Sequence, residues 1–354
     1  MLSMMLKRPN KYEILDVPIP APGEGQALIK VTQAGICATD LATIAGNNPM
    51  TIYPLIPGHE CVGEVVSAPT NSGYKPGERV TIFPSVGCGK CLACNNGLTN
   101  HCPTFKVQGI NLPGGCFAQY MVSNVDQLIR LSDKVYERFG PLIEPLAVGT
   151  HANRRGGTSK GSSVLVIGAG ATGLASALSA RASGAARVLL VDRFESRRQK
   201  VLQLGFADFS TLSGDALISW VEKSVGSVDI VLDNVTNGQT VGIAAQVLRP
   251  GGRCVLIGLP HGDHGLMLPF SLGYKKELSF VFSRNYVKND FFETIELLEM
   301  DAYDPAPMIT AIYPLTRIAE ALKSLQDNPE KHVKVLVDLE VQQTASTSDM
   351  ILSG

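Results

Sequence analysis

The chain has 354 residues, 45% of them hydrophobic and 18% charged, with a formal net charge of −1. That length suits two domains, and that balance suits an ordinary globular protein. No basic stripe points to nucleic acid, and no apolar run approaches the roughly 20 residues that span a bilayer.

The opening stretch, MLSMMLKRPNKYEILDV, reads as a first strand rather than an export signal, so a cytoplasmic protein with reduced cysteines is expected. Up to about residue 145, ALIKVTQAGI, CVGEVVSA and RVTIFPSVG alternate like strands between turn residues. They predict a mostly β, barrel-like module. Near residue 160 the texture changes. SSVLVIGAG, AARVLLVD, SVDIVLDNV, GGRCVLIGL and LSFVFS read as strands, with ATGLASALSARASG, ESRRQKVLQLG and QTVGIAAQVL as helices between the earlier ones. That alternation predicts βαβ units and a parallel sheet, an α/β fold. Two further helices, DFFETIELLEM and LTRIAEALKSLQ, and the strand HVKVLVDL are expected to pack back on the first module. The tail VQQTASTSDMILSG is polar and is expected to fray.

Cys88, Cys91, Cys94 and Cys102 form the pattern C-x2-C-x2-C-x7-C within one polar loop. Four close thiolates suit a tetrahedral zinc with no open position, hence a structural clip rather than an active site. An iron–sulfur cluster is the other metal reading, against which the long third gap speaks. A catalytic zinc needs three protein ligands and one open position. Its candidates are scattered: Cys37 in AGICATD, His59 and Glu60 in IPGHECVGE, and Glu144 in PLIEPLAVGTH.

Gly168, Gly170 and Gly173 make G-x-G-x-x-G between a strand and a helix, the context a dinucleotide pyrophosphate requires. Asp192 ends the next strand, where a carboxylate binds ribose hydroxyls and repels a 2′-phosphate. NAD is therefore expected over NADP. Arg193, Arg197 and Arg198 follow and could soften that choice. Cys61, Cys116 and Cys254 read as core thiols. His101, His151, His261, His264 and His332 lack ligand-like spacing, and Trp220 reads as helix packing.

Together, GICATD, YPLIPGHECVGEVV, CGKCLACNNGLTNHC, LIEPLAVGTHANRRGG and the glycine turn resemble the zinc-dependent medium-chain alcohol dehydrogenases, to about residue 340. Glu144, where simple alcohol dehydrogenases carry cysteine, resembles the polyol branch of sorbitol and sugar-acid 5-dehydrogenases, as do HANRRGG and FSRN. The resemblance implies a GroES-like β-barrel catalytic domain (1–147 and 284–354) plus a Rossmann doubly wound domain (148–283), with the active site between them. It implies two zinc ions per chain, the catalytic one on Cys37, His59 and Glu144 with Glu60 beside it. Thr39 matches the family's hydroxyl proton relay, and Asp40 is expected to orient His59 or its loop. Lys334 matches a basic residue that reaches the pyrophosphate, Val255–Gly258 is expected to approach the nicotinamide, and Arg284 is expected to line the substrate cleft. Arg154 and Arg155 are expected at the interdomain hinge. The reaction implied is NAD-linked oxidation of a secondary alcohol to a ketone, with a homodimer or homotetramer as the assembly. Two positions depart from the branch: Ala42 stands where polyol enzymes often carry histidine, and the sugar-acid branch's histidine near Asn111 is absent. Those departures leave room for a bulkier, less polar substrate of specialised metabolism.

Overall fold

A computed structural model describes residues 1–259 and 265–340. His261, His264 and the tail from residue 341 lie outside the described residues.

The N-terminal stretch, read as one strand, is a hairpin. β1 (Leu2–Arg8) and β2 (Lys11–Asp16) pair antiparallel around Asn10, whose φ of 57° is a left-handed turn asparagine tolerates. β3 (Gln26–Ile36) leads into α1 (Ala38–Ala45), and β4 (Glu60–Ser67) follows. RVTIFPSVG splits into β5 (Arg79–Ile82) and β6 (Ser85–Val86), because Pro84 has no N–H for a ladder. The four-cysteine loop carries α2 (Leu92–Asn95) and returns through β7 (Lys106–Val107). β8 (Tyr120–Asn124), β9 (Leu128–Arg130) and α3 (Asp133–Phe139) precede α4 (Ile143–Gly156), a mostly buried helix that crosses the boundary expected at residue 147.

The second module runs β10 (Ser163–Ile167), α5 (Ala171–Ala182), β11 (Arg187–Val191), α6 (Arg197–Gln203), β12 (Phe209–Ser210), α7 (Gly214–Val225), β13 (Val228–Asp233), α8 (Gly238–Val247) and β14 (Leu248–Leu256). α9 (Phe270–Lys276) and β15 (Ser279–Phe282) complete it. Its six strands are all parallel, in the order β12-β11-β10-β13-β14-β15. The pleat of β10 explains the double winding. Val164 and Val166 face a core shared with Leu174 and Leu178 of α5, whereas Leu165 and Ile167 face Leu217 of α7 and Val241 of α8. Strand order reverses between β10 and β13, the place where such sheets bind ligands beyond their C-terminal ends.

The chain then returns. α10 (Lys288–Glu299) packs on α4, while β16 (Ile309–Pro314), α11 (Ile318–Asp327) and β17 (Lys334–Asp338) join the first module. Its main sheet is ordered β16-β17-β3-β4-β5-β9, with β8 also on β3. The first module is thus built from two separated stretches of chain, because β17 pairs antiparallel with β3.

Candidate active site and metal centres

Register brings the first centre together. β3 ends at Ile36 opposite Val335, so Cys37 and Lys334 lie side by side just past that pair. On the other flank of β3, Glu60 pairs with Gly35. Ligand atoms of Cys37, His59 and Glu60 lie within 4.8 Å of one another, and His59 and Glu60 are buried. Asp40, fully buried on α1, accepts from the Cys37 amide at 2.8 Å and faces His59 Nδ1 at 3.3 Å. That contact leaves His59 Nε2 for the cluster, the usual arrangement behind a metal-ligating histidine. Burial disfavours the charged imidazole, but Asp40 and then Cys37 outweigh it and hold its pKa well above the ordinary value. Thr39 Oγ1 lies 3.7 Å from Cys37 Sγ.

The two glutamates are held differently. Both oxygens of Glu60 accept from Lys334 Nζ, at 2.6 and 2.7 Å, and the same ammonium donates to the Ile36 carbonyl. Burial works against the Lys334 charge, yet Glu60 raises its pKa. Glu144, near the start of α4, is buried at the rim of the cluster, where its Oε1 accepts from the Tyr286 hydroxyl at 2.6 Å. Its carboxyl is pushed up to about 7 by burial and then by the Glu60 charge, against the pull of His59 and the Tyr286 bond. Lys334 compensates only one charge among a thiol, an imidazole and two buried carboxylates, so a further cation would let them ionise together, and sulfur, nitrogen and oxygen donors suit zinc. Cys37, His59 and Glu60 are the preformed set, with Glu144 turned onto Tyr286.

The second centre is self-contained. Sulfurs of Cys88, Cys91, Cys94 and Cys102 all lie within 4.8 Å of one another. Cys102 is pulled down to about 6 by hydrogen bonds from the Thr104 hydroxyl and the Cys88 amide, whereas burial pushes Cys94 up to about 11. Four thiols so close resist joint ionisation unless a cation joins them, and four sulfurs fit a closed tetrahedral site. Cys102 packs with Phe105, Val107 and Ile110 in a small core of its own.

The nucleotide end follows the expected turn. Gly168 sits at φ 89°, and a Cβ on Gly173 would lie 1.7 Å from the Gly168 carbonyl oxygen, so that close approach requires glycine. Nothing lies within 4 Å of the Cβ position of Gly170, which leaves the N-terminus of α5 open to an anion. Asp192 accepts from the amides of Ala169 at 2.7 Å and Phe194 at 2.9 Å. Arg193 stacks on Phe194, Arg198 pairs with Glu195, and Arg197 is buried with a hydrogen bond to the Pro329 carbonyl. Val255 and Leu256 are buried at the end of β14.

Two expected roles meet other surroundings. Lys334, expected at the pyrophosphate, is engaged with Glu60. Arg284, expected in the substrate cleft, lies over the Phe105 ring of the four-cysteine lobe at 4.7 Å. Arg154 joins α4 to α10 through ion pairs with Asp290 and Glu293. Cys61, Cys116 and Cys254 are buried. His151 is buried with Nδ1 2.9 Å from Asp290 Oδ2, and its Nε2 is 3.5 Å from Asn100 Nδ2. Sequence reasoning missed Tyr286 and Asn100. Tyr286 lies only two residues past Arg284, in the re-entry segment already singled out, and that adjacency was its one signal.

Known proteins place these features in a family. The alcohol dehydrogenase GroES-like domain matches residues 23–133 and the zinc-binding dehydrogenase domain residues 171–300. L-galactonate-5-dehydrogenase of Escherichia coli K12 is 33% identical over 338 residues, covering 94% of this chain and 98% of that protein. The structure of an alcohol dehydrogenase from Escherichia coli CFT073 with NADH aligns with a TM-score of 0.88 at 27% identity, covering 96% of this chain and 99% of that one. A zinc-binding dehydrogenase from Sinorhizobium meliloti 1021 bound to NADP aligns at 0.86 and 27%, over 96% and 99%. The chain belongs to the zinc-dependent medium-chain alcohol dehydrogenases, in their branch of polyol and sugar-acid dehydrogenases.

Proposed function

We propose that the protein is an NAD-linked dehydrogenase that oxidises a secondary hydroxyl of a polyol or sugar acid to a ketone, with one catalytic and one structural zinc per chain. The observation that carries this reading is the Cys37, His59 and Glu60 cluster with Glu144 at its rim, backed by Asp40. Cys37, His59 and Glu144 hold the catalytic ion, and Glu60 stands beside it. A zinc ion there supplies Lewis acidity to the substrate hydroxyl near neutral pH. Thr39 Oγ1 takes the hydroxyl proton outward. The glycine turn and the N-terminus of α5 hold the pyrophosphate, and Asp192 takes the ribose hydroxyls. NAD is favoured over NADP because Arg197 and Arg198 are spent on Pro329 and Glu195. Arg284, though held over Phe105, is the candidate contact for a substrate carboxylate.

Eight unbridged cysteines, five in the two clusters and three buried in cores, suit a reducing cytoplasm. A homodimer or homotetramer is supported by the outer edge of β15, where Phe282 is 70% exposed. Sedimentation of the purified protein tests that assembly. The function is tested by NADH formation against matched polyols, aldonates and less polar secondary alcohols. Turnover of aldonates or polyols supports the reading, and turnover of the less polar alcohols alone overturns its substrate class.

A further inference from the structure

A cavity of about 430 Å³ opens between α10 and β9, and none of its lining residues belongs to either metal cluster or to the glycine turn. One wall is the stripe of α10 that carries Lys288, Phe292 and Ile295, spaced four and three residues apart. The opposite face of the helix, with Phe291, Thr294 and Leu298, is buried in the core, which leaves Phe292 and Ile295 to the cavity. The other wall is Leu128, Ile129 and Arg130 of β9, where Leu128 and Ile129 are buried and the Tyr74 hydroxyl donates to the Leu128 carbonyl at 2.7 Å. Small-molecule sites are mostly apolar, carry a few polar groups and fall in the range of roughly 300–1,000 Å³.

Two cations line this space, and they are not equivalent. The Arg130 guanidinium lies 4.0 Å from the centre of the Tyr74 ring, donates to Glu78 Oε2 at 3.2 Å and also donates to the Gly73 carbonyl. Glu78 therefore compensates its charge. Lys288 Nζ lies 5.9 Å from the centre of the Phe292 ring and donates to the Asp126 carbonyl, but forms no ion pair with a carboxylate among the described residues. An ammonium has three donors, and that carbonyl takes one. Burial lowers the Lys288 pKa, and the Asp126 charge only partly opposes it. A half-buried cation without a counter-ion, set beside apolar walls, is complementary to an anion with a hydrocarbon body.

From this geometry we infer that the cavity between α10 and β9 is a second ligand site, and that it takes a medium-chain monocarboxylate. The carboxylate sits on Lys288, and the hydrocarbon chain lies between Leu128 and Ile129 on one side and Phe292 and Ile295 on the other. One uncompensated ammonium matches a single negative charge. The site uses none of the residues assigned to zinc, cofactor or alcohol, so it stands or falls separately from the dehydrogenase reading.

The test is calorimetric titration of the purified full-length protein with butanoate, hexanoate and octanoate, with octan-1-ol as the uncharged control. Saturable binding of octanoate is expected, with affinity rising about fourfold for each buried methylene added to the chain. Lys288→Gln should weaken octanoate about tenfold, Lys288→Arg should keep most of the affinity, and Ile295→Trp, which fills the cavity, should abolish binding. If circular dichroism shows Ile295→Trp unfolded, the two Lys288 variants decide. Absence of saturable octanoate binding overturns the inference, and so does octan-1-ol binding as tightly as octanoate. A carboxylate captured by the Cys37 cluster instead would keep its affinity in Lys288→Gln and Ile295→Trp and lose it in Cys37→Ser, a result that overturns the site while leaving the zinc reading intact.

Discussion

Lys334 on β17 and Glu60 on β4 meet over the strand between them, β3, at the one position where β3 has no side chain. A Cβ on Gly35 would lie 2.2 Å from Glu60 Oε2 and 3.2 Å from its Cβ. Gly35→Ala is therefore expected to push Glu60 off Lys334. Overpacking costs about 1–3 kcal/mol, and splitting a buried ion pair can add to it. Chemical denaturation of the metal-loaded protein measures the loss. A variant as stable as the parent would mean that Glu60 has another seat.

Cys37→Ser and Glu144→Ala are expected to abolish turnover while the circular dichroism spectrum stays that of the folded parent. Cys37→Ser should also lower metal content from two ions per chain toward one. Full activity in either purified variant contradicts the ligand assignment.

Replacing Asp192 by serine removes the carboxylate that repels a 2′-phosphate. The ratio of kcat/KM for NAD over NADP should fall by at least about tenfold, which is roughly 1.4 kcal/mol of discrimination. Arg193 is the exposed cation on hand to meet the phosphate. Comparable use of both cofactors by the unaltered protein would count against Asp192 as the selecting group.

The four-cysteine lobe grips the rest of the molecule through Asn100, which is 1% exposed. Asn100→Ala is expected to cost about 1–3 kcal/mol, since it leaves the Arg284 carbonyl without its donor. Cys94→Ser should release the metal of that lobe and lower the melting temperature, with the Cys37 ion retained. Metal analysis after desalting distinguishes the two sites.

Asp229 of β13 links the start of β10 to the start of β14. Its oxygens accept from the Ser163 amide at 2.7 Å and Arg249 Nε at 2.6 Å. Burial alone would raise its pKa, but the Ser163 amide and Arg249 outweigh it and hold the carboxyl below its ordinary value. The stability it contributes is then complete above the unfolded-state pKa, about 3.9, and is lost as pH falls through the lower folded value. Asp229→Asn should thus destabilise by about 1 kcal/mol at neutral pH. The gap to the parent should close in strong acid, as urea titrations at several pH values would reveal.

How much of this was legible beforehand depends on the distance between partners. Strands with a clear pleat, such as Val228–Asp233, and the glycine turn declare themselves locally, because period and spacing are properties of adjacent residues. The four cysteines do so for the same reason. The opening hairpin was missed although Pro9-Asn10, flanked by Lys7, Arg8 and Lys11, carries a turn signal. α7 was anticipated only at Trp220, read as helix packing, and its extent was not delimited although Leu217, Ile218 and Val221 face the core. The grip of Tyr286 on Glu144 spans 142 residues of chain, and that of Lys334 on Glu60 spans 274. Such pairs exist only once distant stretches of chain have folded together, and no window along the sequence contains both members.

α4 has a mechanical consequence. Glu144 lies near its first turn, and a Cβ on Gly149 would lie 2.5 Å from the Ala175 backbone carbon of α5. Five residues of helix separate them, about 7.5 Å of stiff rod. α5, the proposed seat of the cofactor's phosphates, is thus geared to Glu144. With that contact kept intact, a rotation of the nucleotide module turns Glu144 as a crank turns its pin, and the pivot between the two modules must lie elsewhere than in α4.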